Sequence, residues 1–417
     1  LSLHDALPIS WSQLTLQGEF RPRAEYRNGY KSLRDDSLKS EPAMFVSQRS
    51  RVLFQFQTEK YETCISLQDV RIWGDQELRV DEPATAIHQA WVCLKLSDSL
   101  HLKLCRQELA YDNHRLFSNN NWNQNGQVFD AALLKWNHNG IKLHFINAFN
   151  QNKENTFGNG YNGGQFKNLH MLWLNHMLGK VNVSWLAIAD GNQKANSNTI
   201  TYLRETFGGV AKSEIWGLQT EVSGFYQTGQ SKDGSNIAAW YALAKAGRKF
   251  DKLKIETAME IISGKDVTDT SDTKLRCFDV LYTSGHTYNG SLDYFSNIPK
   301  DTKMAGLVDV YIKFQYQLTE KHSANIDYHY FALQNNFENQ GNKMDKYLGS
   351  EIDLLYKFKM SDEIQFETGY SMMFGTKTLG IIALGNHNKW THWAYVMLSV
   401  KPMFLNTKTK EVSISKQ

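Results

Sequence analysis

Hydrophobic and polar residues alternate with a period of two along most of the chain after Trp11. The alternating segments are about 9 to 14 residues long, which is typical of β-strands with one apolar and one polar face. The clearest segment lies between Gly306 and Leu318. Its apolar face comprises Val308, Val310, Ile312, Phe314, Tyr316 and Leu318. A soluble β-sandwich alternates in the same way, so this pattern alone leaves the fold class open.

The connections between these segments alternate between short and long. Short turns, such as residues 58–60, 210–213 and 360–362, are followed by longer polar connections, of which 265–302 is the longest. This spacing predicts about 18 strands, with about eight tight turns at one end and nine longer loops at the other. We therefore predict an all-β fold, a transmembrane antiparallel β-barrel with short periplasmic turns and longer extracellular loops.

The composition agrees with a sheet-rich membrane protein. The chain has 6 prolines in 417 residues, and none falls between Pro83 and Pro299. Proline cannot donate to a β-ladder, so a long stretch without it favours continuous pairing. Pro22 and Pro402 lie in the first and last predicted strands, which must pair to close a barrel, and we expect a bulge or an unpaired position at Pro22. Mean hydropathy is -0.49, and no apolar run is long enough for a transmembrane helix.

The predicted domain organisation is simple. Residues 1–10, LSLHDALPIS, resemble a translated sequencing adapter, and we expect them to be non-native and to replace a lost signal peptide. Residues 11–405 form the single predicted barrel, and residues 406–417 form a C-terminal tail.

The charged residues are nearly balanced over the chain but unevenly placed. The formal net charge is +3, which gives no support for nucleic-acid binding. If apolar residues face lipid, charged residues of the first strands face the lumen. The predicted pore-lining or substrate-binding residues are Glu19, Arg21, Arg23, Glu25, Arg27, Arg49, Arg51, Asp69, Arg71, Arg106, Glu108 and Arg115. Arginines in such a lumen favour anions, and their planar guanidinium groups suit sugar carboxylates, although the same arginines could simply pair with glutamates to brace the wall.

The fifth strand poses a problem of parity. Leu102 and Leu104 share the parity of Arg106 and Glu108, so an inward Arg106 requires a break in register between them.

Other kinds of site have weaker support. The histidines lack metal-ligand spacing, and no nucleophile elbow or phosphate-binding loop is present. Asp266, Asp269 and Asp272 suit either a calcium loop or a solvated acidic loop. A disulfide within the set Cys64, Cys93 and Cys105 stays open. We expect no catalytic residue, no metal site, no cofactor and no enzymatic activity.

Several segments together resemble the alginate export family of outer-membrane β-barrels. These segments are FRPRAEY (Phe20–Tyr26), LQDVRIWGD (Leu67–Asp75), RQELAYDNHRLF (Arg106–Phe117), Asn121–Gln124, Phe129–Ala131 and FDVLYTSGHTYNGSLDYF (Phe278–Phe295). The chain departs from the family pattern at Cys105, where glycine is usual, and at Asn113-His114, which replaces a more acidic pair. Both departures lie in a segment expected to reach the lumen, so they bear on which solute passes.

The resemblance implies a channel in the outer membrane of a Gram-negative bacterium. We expect it to pass an anionic polysaccharide, such as alginate or its oligomers, by diffusion through an arginine-rich lumen. The alternatives are a general porin for small anions or sugars and, more remotely, a hydrolase embedded in the barrel wall. Expected partners are outer-membrane lipid, the anionic solute and periplasmic assembly or export proteins, with no nucleic acid, and we expect a monomer. Whether loop 265–302 folds inward as a plug stays open.

Overall fold

A single antiparallel sheet closes on itself in the computed structural model, which describes residues 12–35, 41–79, 84–161, 164–194, 196–197 and 199–407. Its strands are β1 (Ser12–Asn28), β2 (Ala43–Thr58), β3 (Tyr61–Ile72), β4 (Thr85–Lys95), β5 (Leu100–Gln107), β6 (Phe129–His138), β7 (Ile141–Phe149), β8 (Asn168–Leu178), β9 (Val181–Gln193), β10 (Thr201–Ile215), β11 (Leu218–Gly229), β12 (Ala239–Phe250), β13 (Leu253–Ile262), β14 (Leu307–Gln317), β15 (His322–Leu333), β18 (Tyr347–Lys359), β19 (Ile364–Gly375), β20 (Thr391–Val400) and β21 (Met403–Asn406).

The remaining elements lie in loops. Strands β16 (Glu338–Asn339) and β17 (Asn342–Lys343) form a small hairpin, and α1 (Ile298–Asp301) and α2 (Lys377–Ile382) are short helices. A 3-10 turn spans Gly285–Thr287. Within the described ranges, no helix has the length and apolar character to cross a membrane.

The barrel has 18 strands, because β20 and β21 are two parts of one strand interrupted at Lys401-Pro402. Strand β1 pairs with β2 on one side and with β20 and β21 on the other, which closes the sheet. This closure confirms the predicted fold class and excludes an open sandwich. Residues 1–11 and 408–417 lie outside the described residues, so the predicted boundaries at both termini stay predictions.

Proline interrupts the ladder at the seam of the barrel. Strand β1 pairs with β20 at Phe20 and again from Arg23 onward, while Arg21 and Pro22 have no partner there. Pro22 has no backbone N–H to donate, so an unpaired position is the expected result. The prediction for this residue is confirmed.

Short turns and long loops occupy opposite ends of the barrel, as predicted, with one error. The turn predicted at residues 210–213 is wrong, because β10 continues through Ile215 and turns at Trp216-Gly217. Both turn residues have positive φ, 53° and 75°, as a tight two-residue hairpin requires. Gly217 supplies this conformation without strain, whereas residues 210–213 contain no Gly, Asn or Asp.

Two long loops run through the inside of the barrel. Loop A (residues 108–128) joins β5 to β6, and loop B (residues 263–306) joins β13 to β14. Loop A bonds with wall strands far apart around the barrel: Asn121 with Arg21 of β1, Asp112 with Trp173 of β8, and Arg115 with Glu260 of β13. A segment can reach all these strands only by crossing the interior.

The two loops are joined to each other. The backbone of Tyr282 in loop B donates to Leu116 O at 3.0 Å and accepts from Ser118 N at 3.1 Å. Phe117 and Tyr282 form a parallel bridge, and their rings pack with centroids 5.0 Å apart. The question left open by the sequence is thereby answered, since loop B folds inward together with loop A.

The turn at Gly217 provides a test of the strand boundaries. We expect Gly217→Ala to lower the free energy of unfolding by about 1 kcal/mol, because a Cβ at φ 75° is strained even though no heavy atom lies within 4 Å of it. Gly224→Ala is the control, since its Cβ would meet only Tyr241 O at 3.8 Å. Urea unfolding of the refolded barrel, followed by tryptophan fluorescence, measures both variants. Equal losses would contradict this account of the turn.

Candidate functional site

The inner wall of β1 and β2 carries a dense group of charged side chains. Alternation directs Phe20 and Tyr26 outward, where they are exposed, and directs Arg21, Arg23 and Glu25 inward, where they are buried. The unbroken register between β1 and β2 pairs Arg21 with Arg49 and Glu19 with Arg51. The seven residues on this wall are Glu19, Arg21, Arg23, Glu25, Arg27, Arg49 and Arg51.

Arg21 binds the backbone of loop A. Its guanidinium donates to Asn121 O at 2.7 Å and to Asn123 O at 3.2 Å, and twice to the side-chain oxygen of Gln124, at 2.8 and 3.0 Å. The side chain is 4% exposed, so loop oxygen atoms have replaced water around the cation. These oxygens lie where the oxygens of a bound carboxylate would lie.

Neighbouring arginines bind the same segment of loop A. Arg49 donates to the side-chain oxygen of Asn121 at 2.9 Å, and Arg23 donates to Trp122 O at 3.0 Å. The Arg23 guanidinium also lies 4.0 Å from the centre of the Trp122 ring, which stacks on His286 at 3.9 Å and packs edge-on against Trp393 and Tyr395 of β20. Segment 121–125 is therefore fixed by arginines of the wall and by the ring contacts of Trp122.

Two glutamates partly balance these five arginines. Glu19 pairs with Arg49 at 2.7 Å, and Glu25 pairs with Arg23 at 2.9 Å and with Arg27 at 2.8 Å. The bracing interpretation is thus supported by direct contacts. Two glutamates leave an excess of positive charge on this wall, so the arginines can both brace the wall and bind a solute.

Asp69 and Arg71 have the outward parity of β3, contrary to the prediction, although Arg71 also borders a cavity lined by Arg23 and Arg27. Gln68 faces inward, where it accepts from Arg51 at 2.7 Å, whereas Asp69 pairs in register with the outward Ser50. Asp69 and Arg71 follow the parity of the exposed Leu67 and form an ion pair with each other at 2.7 Å.

Arg106 also lies on the outer face, and the predicted break in register is wrong. The β5–β6 register is regular and pairs Leu102 with Leu134, Leu104 with Ala132, and Arg106 with Asp130. Residues paired in this way share a face, and Leu134 is exposed on the outside. Arg106 forms a half-exposed ion pair with Asp130 at 3.0 Å.

The position of these charged residues along their strands explains why they do not face the lumen as predicted. Asp69, Arg71 and Arg106 lie near the long-loop ends of β3 and β5. An outward Arg costs about 2–4 kcal/mol at the membrane midplane but only about 0–1 kcal/mol near the interface. Charge therefore indicates an inward position only in the middle of a strand.

Glu108 and Arg115 lie inside the barrel, but in loop A. Glu108 accepts from Asn119 and lies 2.9 Å from the buried His88 of β4. Arg115 is 1% exposed, pairs with Glu260 of β13 at 2.9 Å, and donates to Asn289 of loop B at 2.9 Å. Arg115 therefore anchors the two loops to the wall and is closed to a passing solute in this conformation.

Carboxylates hold loop B on the wall between β13 and β18. Glu351 of β18 accepts from the backbone N–H of Leu292 at 2.7 Å, and Glu260 accepts from the Asn289 side chain at 2.5 Å. A Cβ added at Gly290 would lie 2.6 Å from the Glu351 carboxylate, so glycine allows this close approach. Arginines thus hold loop A on one arc, and carboxylates hold loop B on the other.

A charged junction fixes loop B beside the start of the β1–β2 connection. Tyr30 donates to the buried Asp293 carboxylate, which lies 2.9 Å from His286 Nδ1 and 3.7 Å from Lys31 Nζ. Burial acts to raise the pKa of Asp293, but His286, Tyr30 and Lys31 outweigh it and hold this pKa below its ordinary value.

Segment 121–125 separates two cavities along the basic wall. The cavity on the long-loop side has a volume of about 650 Å³ and is lined by Arg23, Arg27 and Trp122 among others. The cavity on the short-turn side has a volume of about 260 Å³ and is lined by Glu19, Arg51 and Glu108 among others. Moving this segment aside would join the cavities into one path along β1 and β2.

Sites of other kinds gain no support from the side chains. All four cysteines are free, so the disulfide considered for Cys64, Cys93 and Cys105 is not formed. Cys105 has φ 81°, a conformation that favours glycine and explains why glycine suits this position. In the described part of the chain, no three His, Cys, Asp or Glu side chains come together as a metal site.

The sequence profile described as alginate export matches residues 12–380. The chain belongs to the alginate export family. With its closed barrel, this membership makes it an outer-membrane channel for anionic solutes. The segments with the family's motifs in loops A and B are those that join the two loops and bind the wall.

Solved structures share the barrel fold at low sequence identity. OccK9 (OpdG) of Pseudomonas aeruginosa is 12% identical, with a TM-score of 0.61 over 94% of this chain and 98% of that one. OccAB1 of Acinetobacter baumannii is 9% identical, with a TM-score of 0.62 over 94% and 97%. P. aeruginosa OccK2 (OpdF), solved with glucuronate, is 10% identical, with a TM-score of 0.61 over 94% and 97%. No curated protein sequence matches the chain.

The sequence did not reveal the residues of loop A that accept hydrogen bonds from the arginines of the wall. Asn121, Trp122 and Gln124 form part of one matching segment, yet nothing in their local pattern indicates which wall strand they contact. Arg21 and Asn121 are 100 positions apart. The available signal was the tryptophan within a polar loop, which suggests an interior contact.

Removing Arg115 should release the loops. We expect Arg115→Leu to cost about 3–5 kcal/mol, because Glu260 would be left buried without its partner. Faster cleavage of loop A in limited proteolysis of the folded barrel measures this. Arg276→Leu, which removes an exposed pair with Asp272, should cost only about 0–1 kcal/mol. Cleavage of both variants at the wild-type rate would contradict the anchoring role.

The Asp293 junction should weaken in acid. Its pKa is lowered in the folded state, so its stabilising contribution is fully present above the unfolded value of about 3.9 and is lost as pH falls through the lower folded value. Proteolysis of loop B with an acid-active protease should therefore accelerate below about pH 4. In Asp293→Asn, cleavage should be fast already at pH 6 and less dependent on pH. A wild-type acceleration centred near neutral pH would point to another group.

Proposed function

We propose that the chain passes an anionic polysaccharide, such as alginate or its oligomers, through its lumen by diffusion and without chemical change. The supporting observation is the binding of Arg21 and Arg49 by oxygens of segment 121–125. The proposed setting is the outer membrane of a Gram-negative bacterium, with the barrel acting as a monomer served by periplasmic assembly or export proteins.

Exchange of oxygen ligands describes how the solute would pass. The Arg21 guanidinium is desolvated by neutral carbonyl and amide oxygens, whereas that of Arg49 binds both the Glu19 carboxylate and the Asn121 amide oxygen. A carboxylate forms stronger hydrogen bonds with guanidinium than a neutral oxygen does, because both partners are then charged. Each carboxylate of the solute could thus replace loop oxygens and displace segment 121–125 from the wall. The arginines would act as successive transient sites, which conduction requires.

The cavity above the segment is suited to receive such a solute. Its volume of about 650 Å³ falls within the range of roughly 300–1,000 Å³ usual for small-molecule sites. Its lining includes the guanidinium groups of Arg23 and Arg27 and the aromatic rings of Tyr30 and Phe45. The Arg27 guanidinium lies 4.2 Å from the Tyr30 ring centre and 4.6 Å from that of Phe45. Rigid, stacked cations suit recognition of a carboxylate.

A channel for small sugar acids is the second candidate. It is favoured by the structural similarity to OccK2, which was solved with glucuronate. Segment 121–125 also closes the path along the basic wall in this conformation, and a small anion requires less displacement of it than a chain does. Both candidates use the same arginines.

The effect of Arg49 on ion selectivity can be compared with that of Arg106, which lies on the outer face. We expect Arg49→Gln to lower the ratio of anion to cation permeability about two- to threefold, because it removes an inner positive charge. Arg106→Gln removes the same charge from the outer face, so its reversal potential in planar bilayers under a salt gradient should match wild type. Gel mobility shift on heating checks that both barrels are folded. A wild-type reversal potential for Arg49→Gln would show that Arg49 does not face the conducting path.

Solute size separates the two candidates. A polysaccharide channel should show transient current block by uronate trimers at lower concentrations than by glucuronate, because a chain contacts several arginines at once. The measurement is single-channel recording with each solute at equal carboxylate concentration. Block by glucuronate alone would favour the small-acid channel, and block by neither would contradict both candidates.

A further inference from the structure

A continuous row of basic side chains crosses the inner wall on the short-turn side of loop A. The register pairs Lys95 with His101, His101 with Lys135, and Lys135 with His144, across β4, β5, β6 and β7. His144 faces inward, since its Nδ1 lies 3.0 Å from the Tyr111 hydroxyl of loop A. Directly paired residues share a face, so the whole row faces the lumen.

Two further lysines extend this row. Lys103 lies two positions from His101, and Lys142 lies two positions from His144, so both share the inner face. Lys103 Nζ lies 3.7 Å from the centre of the Trp91 ring. Directly opposed Cβ atoms lie about 5 Å apart and diagonal neighbours about 7–8 Å. We call this group the lysine arc, comprising Lys95, Lys103, Lys135 and Lys142.

The lysine arc lacks matching acidic partners. None of its four ammonium groups forms an ion pair with any residue that the structure describes, and Lys95 donates to the backbone oxygen of Thr58 at 2.8 Å. Glu62 is the one carboxylate that the register of the described strands places on the inner face of β3–β7 at this depth, opposite Cys93. Four cations thus meet one carboxylate.

Five lysines elsewhere on the inner wall are paired with carboxylates. Lys245 lies 3.1 Å from Glu221, Lys313 lies 3.0 Å from Asp327, and Lys357 lies 3.2 Å from Glu367. Lys212 and Lys254 also have carboxylate partners, at 3.9 and 3.4 Å. Lys249 of β12, opposite Lys254, also has no ion pair in the described part of the chain. The lysine arc differs in that four such lysines lie on adjacent strands, beside the basic wall.

The position of the lysine arc points to its role. The cavity below segment 121–125 is lined by Ser66 and Gln89, and the pair Cys64–Trp91 lies one inward step further toward the short turns. Short turns of outer-membrane barrels face the periplasm. We propose that the lysine arc is a binding site for the carboxylates of a uronate chain at the periplasmic opening. This inference rests on the proposed function and adds a second site, which holds the chain before or after it meets the arginines.

The test measures block of single channels by a uronate trimer added to one chamber at a time. Protease added at the end of each recording identifies the chamber that faces the long loops. We expect Lys103→Gln/Lys135→Gln to raise the dissociation constant for block from the short-turn side about fivefold, with less than about twofold change from the other side. Lys103→Arg/Lys135→Arg keeps both charges and should keep wild-type block.

A second variant controls for changes of lumen charge outside the lysine arc. Lys212→Gln/Lys245→Gln/Glu221→Gln removes two ammonium groups from β10 and β12 together with the carboxylate that they share, and should leave block nearly unchanged. Equal block of wild type and the Lys103→Gln/Lys135→Gln variant from the short-turn side would overturn the site while leaving the proposed function intact. Absence of block of the wild type from either side would overturn both.

Discussion

Closure of the hydrogen-bond ladder between β1 and the last strand determines which side chains of the wall face the interior. Once the sheet closes, each strand has one face toward lipid and one toward the lumen, and the register transmits that choice from strand to strand. The side-chain face of a residue therefore depends on its partners around the barrel. This constraint places Arg21, Arg49 and the lysine arc on one continuous inner surface, and it places Arg106 outside.

The interior is polarised because two loops need partners of different kinds. Loop A presents carbonyl and amide oxygens to β1 and β2, where guanidinium groups donate to them. Loop B presents backbone N–H groups to β18, where the carboxylates of Glu351 and Asp353 accept. A buried polar backbone is stable only when it is bonded in this way. The charges that serve transport in our proposal are thus also those that hold the closed conformation together.

Much of the fold follows from local pattern. Alternation and turn chemistry predicted the strand number, the closure of β1 with the last strand and the unpaired Pro22. The site was predicted less well. Four of the five arginines of β1 and β2 lie well inside long strands, where parity is unambiguous, and Arg27 lies near the end of β1. Asp69, Arg71 and Arg106 lie near strand ends, where an outward charge costs little. The contacts of loops A and B join residues far apart in the sequence, 59 positions for Leu292 and Glu351 and 100 for Arg21 and Asn121, and no periodicity encodes such pairs.

The outer ion pairs Asp69–Arg71 and Arg106–Asp130 also fix the vertical position of the barrel. The hydrocarbon core of the bilayer must end on the short-turn side of these ion pairs. They therefore mark the boundary between hydrocarbon and headgroups of the outer leaflet on β3, β5 and β6. Arg49 pairs with Val70 and with Arg21, so their row lies one step closer to the long loops than the row of Asp69. The closure by segment 121–125 is therefore held close to the level of that boundary, and a solute arriving from outside meets the first obstacle at about the depth where the hydrocarbon begins.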